Sequence, residues 1–118
     1  MANRSVGDHI PMSEAMFHVL VALAEGASHG YNIMKDVRER TNGAVTLSTG
    51  TLYGIVKRLL ADGLIVEMRR RPSADEGERK RRLYTLTPFG REVARAEAER
   101  LHRMVTAARA ASLIRGGA

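Results

Sequence analysis

Four hydroxyl residues and three glycine stops divide this 118-residue chain into segments before any other feature is read. A hydroxyl placed just before an apolar-periodic stretch accepts from the unpaired amides of a first helical turn. A glycine placed just after it adopts the left-handed conformation that ends the helix. Ser13 precedes Met16, Phe17, Leu20, Leu23 and Ala24 at helical spacing, and Gly26 follows, which predicts a helix over 14–25. Ser28 precedes Ile33, Met34 and Val37, with the turn pair Asn42-Gly43 beyond, and predicts a second helix over 29–40. Ser48 precedes one stripe of Leu52, Ile55, Val56, Leu59 and Leu60, and Gly63 closes a third helix over 49–62. Thr87-Pro88 opens the last helix, over 88–113, because a proline in the first turn loses nothing by lacking an amide hydrogen. At 1.5 Å per residue this helix is about 38 Å long.

Between the third and last helices the pattern changes. Leu64-Ile65-Val66-Glu67-Met68 and Leu83-Tyr84-Thr85-Leu86 read as short strands, separated by a polar stretch, 69–81, that holds Pro72 and Gly77. The expected architecture is mainly α, an α+β winged helix. It comprises a three-helix winged helix-turn-helix, a two-stranded β wing with a long basic tip, and a long C-terminal helix. Residues 1–12 are expected to form a flexible arm, 13–86 the winged helix-turn-helix and 87–118 the C-terminal helix.

Charge narrows the partners. Nineteen Lys and Arg stand against thirteen Asp and Glu. From Arg69 to Arg82 seven basic residues face three acids (Asp75, Glu76 and Glu78), so that segment carries +4 of the net +6. A basic domain favours a polyanion, with double-stranded DNA the first candidate. In a helix-turn-helix the second helix of the pair enters the major groove. Gly50, Gly54 and Ala61 lie opposite the apolar stripe of the third helix and let its backbone approach base edges. Lys57 and Arg58 flank them, and Ser48, Thr49 and Thr51 stand at the helix start, where hydroxyls and free amides suit phosphate oxygens. Tyr31, Lys35 and Arg38 share one face of the second helix and suit the DNA backbone. Arg79, Lys80 and Arg81 of the wing suit the minor groove or flanking phosphates. Tyr31 and Tyr53 also read as half-buried packing residues with a polar tip.

The last helix carries two stripes. Phe89, Val93 and Ala96 are expected to pack on the domain. Ala94, Ala98, Leu101, Val105, Ala108 and Ser112 keep the alternating four-three spacing of a coiled-coil seam and predict a homodimer. Met12, Met16 and Phe17, with Leu101 and Met104, are candidates for an apolar effector pocket beside that seam, although methionines at helical spacing are more often core.

The same residues carry a family resemblance. His29-Gly30-Tyr31, then Leu47-Ser48-Thr49-Gly50-Thr51-Leu52-Tyr53, then Gly63-Leu64-Ile65, and finally the run from Arg79 to Gly90 resemble the signatures of PadR-type regulators, in order and spacing, across residues 13–95. The resemblance implies a homodimeric winged-helix repressor that dimerises through its C-terminal helix and controls a nearby gene. It places Tyr31, Ser48, Thr49, Gly50, Thr51 and Tyr53 in the family's DNA-facing motif. Gly54 stands where the family often has proline. The chain has no tryptophan, so the binding of flat drugs between tryptophans does not carry over.

Other classes fit less well. There is no cysteine, which removes disulfides and thiolate metal sites. His9, His18, His29 and His102 lack metal-ligand spacing, and no cofactor or metal is expected. No phosphate loop or nucleophile motif is present, so an enzyme is not expected. No apolar run reaches the roughly 20 residues of a membrane span, and the N-terminus does not read as a signal peptide, so the expected location is the cytoplasm. The alternative is a winged-helix module that binds RNA or an acidic protein. That module would show large apolar residues on the third helix's outer face, where this chain has Gly, Ala, Lys and Arg.

Overall fold

In a computed structural model of the protein, which describes residues 5–68 and 82–115, three of the four hydroxyl caps are formed as the sequence predicts. Ser13 Oγ accepts from the Met16 amide at 3.1 Å and starts α1, Glu14–Ala24. Ser48 Oγ accepts from the Thr51 amide at 3.1 Å and starts α3, Thr49–Ala61. Thr87 Oγ1 accepts from the Gly90 amide at 2.8 Å and starts α4, Pro88–Ala110.

Ser28 departs from expectation. It does not cap the second helix. Ser28–His29 forms a short strand, β1, and α2 runs Gly30–Arg40 with His29 as an N-cap that makes no side-chain hydrogen bond. The backbone of Ser28 and His29 is committed to a sheet, and the Ser28 hydroxyl donates to the His29 carbonyl instead. The wing is therefore three-stranded at its base, not two-stranded. The strands β2, Ile65–Met68, and β3, Leu83–Leu86, pair antiparallel with Ile65 opposite Leu86 and Met68 opposite Leu83. β1 pairs with the other edge of β3, giving the order β1-β3-β2. The wing thus hydrogen-bonds to the residues that lead into α2.

The core lies between the helices and the sheet. Val19, Leu20 and Leu23 of α1, Ile33 and Val37 of α2, Leu52, Val56 and Leu59 of α3, Leu64, Ile65 and Tyr84 of the wing, and Val93 of α4 are buried together. Leu60 was expected in this stripe, but it sits at its edge and is 36% exposed. At 100° per residue it is rotated well away from Leu52 and Leu59, and no neighbouring element covers that side.

Thr87 fastens three elements together. Its amide donates to the Leu64 carbonyl at 3.0 Å, and its hydroxyl donates to the Gly63 carbonyl at 2.7 Å while capping α4. The end of α3, the root of β2 and the start of α4 are joined at this point. Gly90 makes the approach possible, because a Cβ there would collide with the backbone of Leu64.

α4 is shorter than predicted. It ends at Ala110, where Ser112 adopts a left-handed φ of 66° and the Leu113 amide bonds back to the Ala108 carbonyl, a closed helix C-terminus. The N-terminal segment is also more ordered than an arm. Val6–His9 forms a 3-10 turn closed by Ser5 and Asp8, His9 packs edge-on against Phe89, and the Met12 amide bonds to Glu97 of α4. Glu97 is the one buried charged residue of the described chain.

Candidate nucleic-acid interface

The helix α3 separates its two sides cleanly. Leu52, Val56 and Leu59 face the core, while Ser48, Thr49, Gly50, Thr51, Tyr53, Gly54, Lys57, Arg58 and Ala61 are all exposed. Helical geometry puts Gly50, Gly54, Lys57 and Ala61 diametrically opposite the buried stripe. Nothing lies within 4 Å of a Cβ built at Gly50 or Gly54. The glycines therefore make no room for any described part of the chain, and they leave a shallow outer surface beside Lys57. Among the described residues Lys57 has no ion-pair partner.

At the helix start the hydroxyls form a small network. Ser48 Oγ accepts from the Thr51 amide and donates to Thr51 Oγ1 at 2.9 Å, which leaves the Thr51 hydroxyl proton directed elsewhere. The two tyrosines differ. Tyr31 is 68% exposed, whereas Tyr53, at 40%, lays its ring across Gly30 at the start of α2, where a Cβ would meet the phenol. Tyr53 thus combines the packing and surface readings, and Tyr31 presents itself to solvent.

Lys35 and Arg38 are exposed on the same flank of α2 as Tyr31. Arg40, on the opposite flank, is occupied with Asp36 at 2.6 Å and Glu25 at 2.7 Å, and the hydrogen bonds it donates to these carboxylates, Asp36 first, hold its guanidinium above its ordinary pKa. Arg58 lies beside Asp62 at 3.6 Å. Arg82 lies beside Glu67 at 3.6 Å, across the wing. Tyr84 is buried beneath that pair, and its burial, then the Glu67 charge, raise its phenol pKa. Arg79, Lys80 and Arg81 lie outside the described residues.

The remaining predicted residues divide between core and surface. Along the seam Ala94 packs against the core, Leu101 and Ala108 are half-buried, and Ala98 and Val105 are exposed. Met104 is 56% exposed, and Arg100 donates to its sulfur at 3.2 Å. Of the effector-pocket candidates, Met12 and Met16 pack on the core, and Phe17 is half-buried with its ring tilted against His18. A cleft of about 320 Å³ lies elsewhere, between the end of α1 and α2, where Ala22 and Ala27 share the lining with Glu25, Lys35, Asp36 and Glu39.

Three residues that matter here were not picked out from sequence. Asp62 caps α3 at its C-terminus, where a carboxylate opposes the helix dipole, and that opposition is a usable signal. His9 carries no such signal. Glu97 follows Val93 by four residues, on the inward face, and Arg100 follows it at i+3. Arg100 Nε and Nη2 donate to its two oxygens at 2.7 and 2.9 Å, and the Met12 amide adds a third bond at 3.2 Å. The Arg100 bond, above all, holds the Glu97 carboxyl below the usual carboxylate range against the opposing effect of burial. Among the described residues no group of His, Asp and Glu is placed to hold a metal ion, and no helix is long and apolar enough to cross a membrane.

Three packed helices, an outward-facing α3 and a sheet at its end constitute a winged helix-turn-helix, the architecture of a large class of DNA-binding regulators. Residues 19–96 match the PadR-like family of transcriptional regulators, and the chain belongs to that family. Regulators of this family bind DNA. The chain is 38% identical over 92 residues to an uncharacterized 37.1 kDa protein in transposon TN4556 of Streptomyces fradiae, covering 78% of this chain but only 24% of that relative's length. A PadR family transcription regulator from Clostridium difficile superposes with a TM-score of 0.70 at 24% identity, covering 82% of this chain and 96% of the other. PadR of Bacillus subtilis, solved in complex with operator DNA, superposes with a TM-score of 0.59 at 21% identity, covering 69% of this chain and 44% of the other.

Proposed function

We propose that this protein is a transcriptional repressor that binds an inverted-repeat DNA operator as a homodimer. The observation that carries the reading is the outer face of α3. Gly50, Gly54 and Ala61 leave the backbone bare, Lys57 has no ion-pair partner among the described residues, and Ser48, Thr49 and Thr51 crowd the N-terminus with donors. A helix of this kind fits a groove about 12 Å wide, with the backbone close to base edges and the cation within reach of a phosphate or a guanine acceptor. Tyr31, Lys35 and Arg38 on α2 serve the DNA backbone, as do Arg79, Lys80 and Arg81 on the wing.

Dimerisation falls to the half of α4 that extends past the core. Leu101, Met104, Val105 and Ala108 form one apolar side there, and a second copy of the helix covers it. A two-fold pair then presents two α3 helices about one turn of DNA apart. A small apolar molecule entering near Met12, Met16, Phe17, Leu101 and Met104 releases the operator by changing the angle at the seam.

The test is fluorescence-anisotropy binding to the DNA upstream of this protein's own gene, beside a scrambled duplex of equal length, at two salt concentrations. The expected result is a preference of about a thousandfold for the upstream fragment, with affinity falling steeply as salt rises. Equal affinity for both duplexes refutes the reading and favours an RNA or acidic protein partner.

A further inference from the structure

Asp62 stands where helix electrostatics disfavour it. It is the C-terminal cap of α3, the end that carries partial negative charge, and yet its carboxylate is held there with only 16% of the side chain exposed. Among the described residues, two basic groups approach one oxygen of that carboxylate, beside whatever else it binds. Arg58, one turn back on the same helix, brings Nε to 3.6 Å from Oδ2, and His9 of the N-terminal turn brings Nδ1 to 3.9 Å from the same atom. The two differ in setting: the Arg58 side chain is 71% exposed and that of His9 only 6%.

His9 is enclosed by two elements. From α3 the charged groups facing it are Asp62 and, behind it, Arg58. From α4 it meets the uncharged Phe89 ring, with centroids 5.4 Å apart; in its own turn the Asp8 carboxylate accepts from the Ser5 amide at 3.0 Å, and Glu97 and Arg100 of α4 are closed on each other and on the Met12 amide. Its Nε2 is buried and has no hydrogen-bond partner among the described residues.

We propose that Asp62 is a brake on Arg58 and that protonation of His9 releases it, so that the His9–Asp62–Arg58 cluster makes DNA binding proton-sensitive. The inference rests on the reading of α3 as the DNA-contacting helix. With a neutral imidazole, the Asp62 carboxylate keeps the Arg58 guanidinium beside it and offsets its charge. An imidazolium adds a buried cation to the same carboxylate oxygen, where attraction is stronger than at the surface. The hold on the exposed arginine then weakens, and its charge becomes available to a DNA phosphate. Imidazole is the side chain that changes charge between about pH 5 and 8. His9 and Asp62 are positioning residues in this scheme, acting on DNA through Arg58.

The experiment measures anisotropy binding of the full chain to the upstream fragment at about pH 6 and about pH 8, at fixed ionic strength, with a salt series at each. Relative to His9→Gln, the wild-type chain is expected to bind about threefold to fivefold more tightly at the lower pH, with a salt slope steeper by about one. Asp62→Asn is expected to bind tightly at both pH values, and Arg58→Gln weakly at both. His18→Gln, which removes an imidazole far from the cluster, is expected to keep the wild-type response. A response that survives in His9→Gln, or an affinity that falls in Asp62→Asn, overturns the proposal. If melting curves show that His9→Gln has lost its fold, Arg58→Gln carries the same test, because it deletes the charge to be released from an exposed site. Wild-type protein that ignores the upstream fragment at both pH values refutes the DNA-binding reading, whereas specific binding that is flat with pH refutes this inference alone.

Discussion

Replacing Gly90 by alanine adds one methyl group at the tightest junction in the fold. The new Cβ falls 2.8 Å from the carbonyl carbon of Leu64 and 3.1 Å from its Cα, and closer still to the carbonyl oxygen. Ordinary contact begins at 3.4 Å, so the first turn of α4 must move by at least the 0.6 Å that separates 2.8 from 3.4 Å. That movement acts on the Thr87 fastening, where the amide bond to Leu64 is 3.0 Å long and the hydroxyl bond to Gly63 is 2.7 Å. Each such bond contributes about 0.5–1.5 kcal/mol. Overpacking a close junction costs about 1–3 kcal/mol more. Against this, alanine gains about 1 kcal/mol over glycine within a helix. The expected net loss is about 3 kcal/mol. Urea unfolding followed by circular dichroism is the assay, with protein concentration held constant because the proposed dimerisation would make the midpoint depend on it. With a slope of about 1–3 kcal/mol per molar, the midpoint should fall by about 1–3 M. Gly54→Ala is the internal control: a Cβ there meets nothing, and the same substitution should stabilise by up to about 1 kcal/mol. A Gly90→Ala midpoint equal to or above that of the native chain would falsify the claim that Leu64 and α4 are held at contact distance.

The other predictions concern the interface, the seam and the buried carboxylate. Lys57→Ala should weaken DNA binding and reduce the salt slope by about one if the ammonium meets a phosphate, or relax preference at one base pair if it meets a base; unchanged affinity at physiological salt removes Lys57 from the site. Gly54→Ala, stabilising in the fold, should nevertheless lower operator affinity, and anisotropy titration beside the urea melt tests the two effects on one sample. Leu101→Glu should put a charge into the proposed seam and yield monomers by light scattering; a persistent dimer places the interface elsewhere. Glu97 has a folded pKa below its unfolded one, so its contribution is present above the unfolded value and is lost as pH falls through the folded value. Glu97→Gln should therefore destabilise clearly at about pH 7 and much less at about pH 3, and equal losses at both would contradict the depressed pKa.

The helices were legible because their boundaries are chemical. Ser13, Ser48 and Thr87 each bond an amide three residues on, as a hydroxyl at that position should, and Gly63 turns out of α3 with a positive φ of 76°. The outward face of α3 was legible for the same reason, since a period of 3.6 places Gly50, Gly54 and Lys57 opposite Leu52 and Leu59 once those are assigned to the core. β1 was not legible. Two residues are too few for an alternating pattern, and Ser28 looks the same in sequence whether it caps a helix or lies in a strand. What decides it is pairing with Tyr84, 56 positions along the chain. The same limit hid the ordering of residues 5–12. With no apolar run and Pro11 at their end they suggest a loose segment, but Phe89 and Glu97 receive them, and no local pattern announces a partner so far away. Arg58 read as a DNA-facing cation with nothing beside it, because Asp62 looked like nothing more than the end of a helix.

The Thr87 fastening limits what a change at the C-terminal helix can do. Because one residue ties the chain just past α3, the root of the wing and the first turn of α4, the three are coupled at one point. A torque applied to α4 is not absorbed at its base. It swings the outward-facing α3 and the wing together, like a key turned by its shank. The angle between each key and its own shank is fixed, so the adjustable joint in a pair of such molecules is where the two shanks cross.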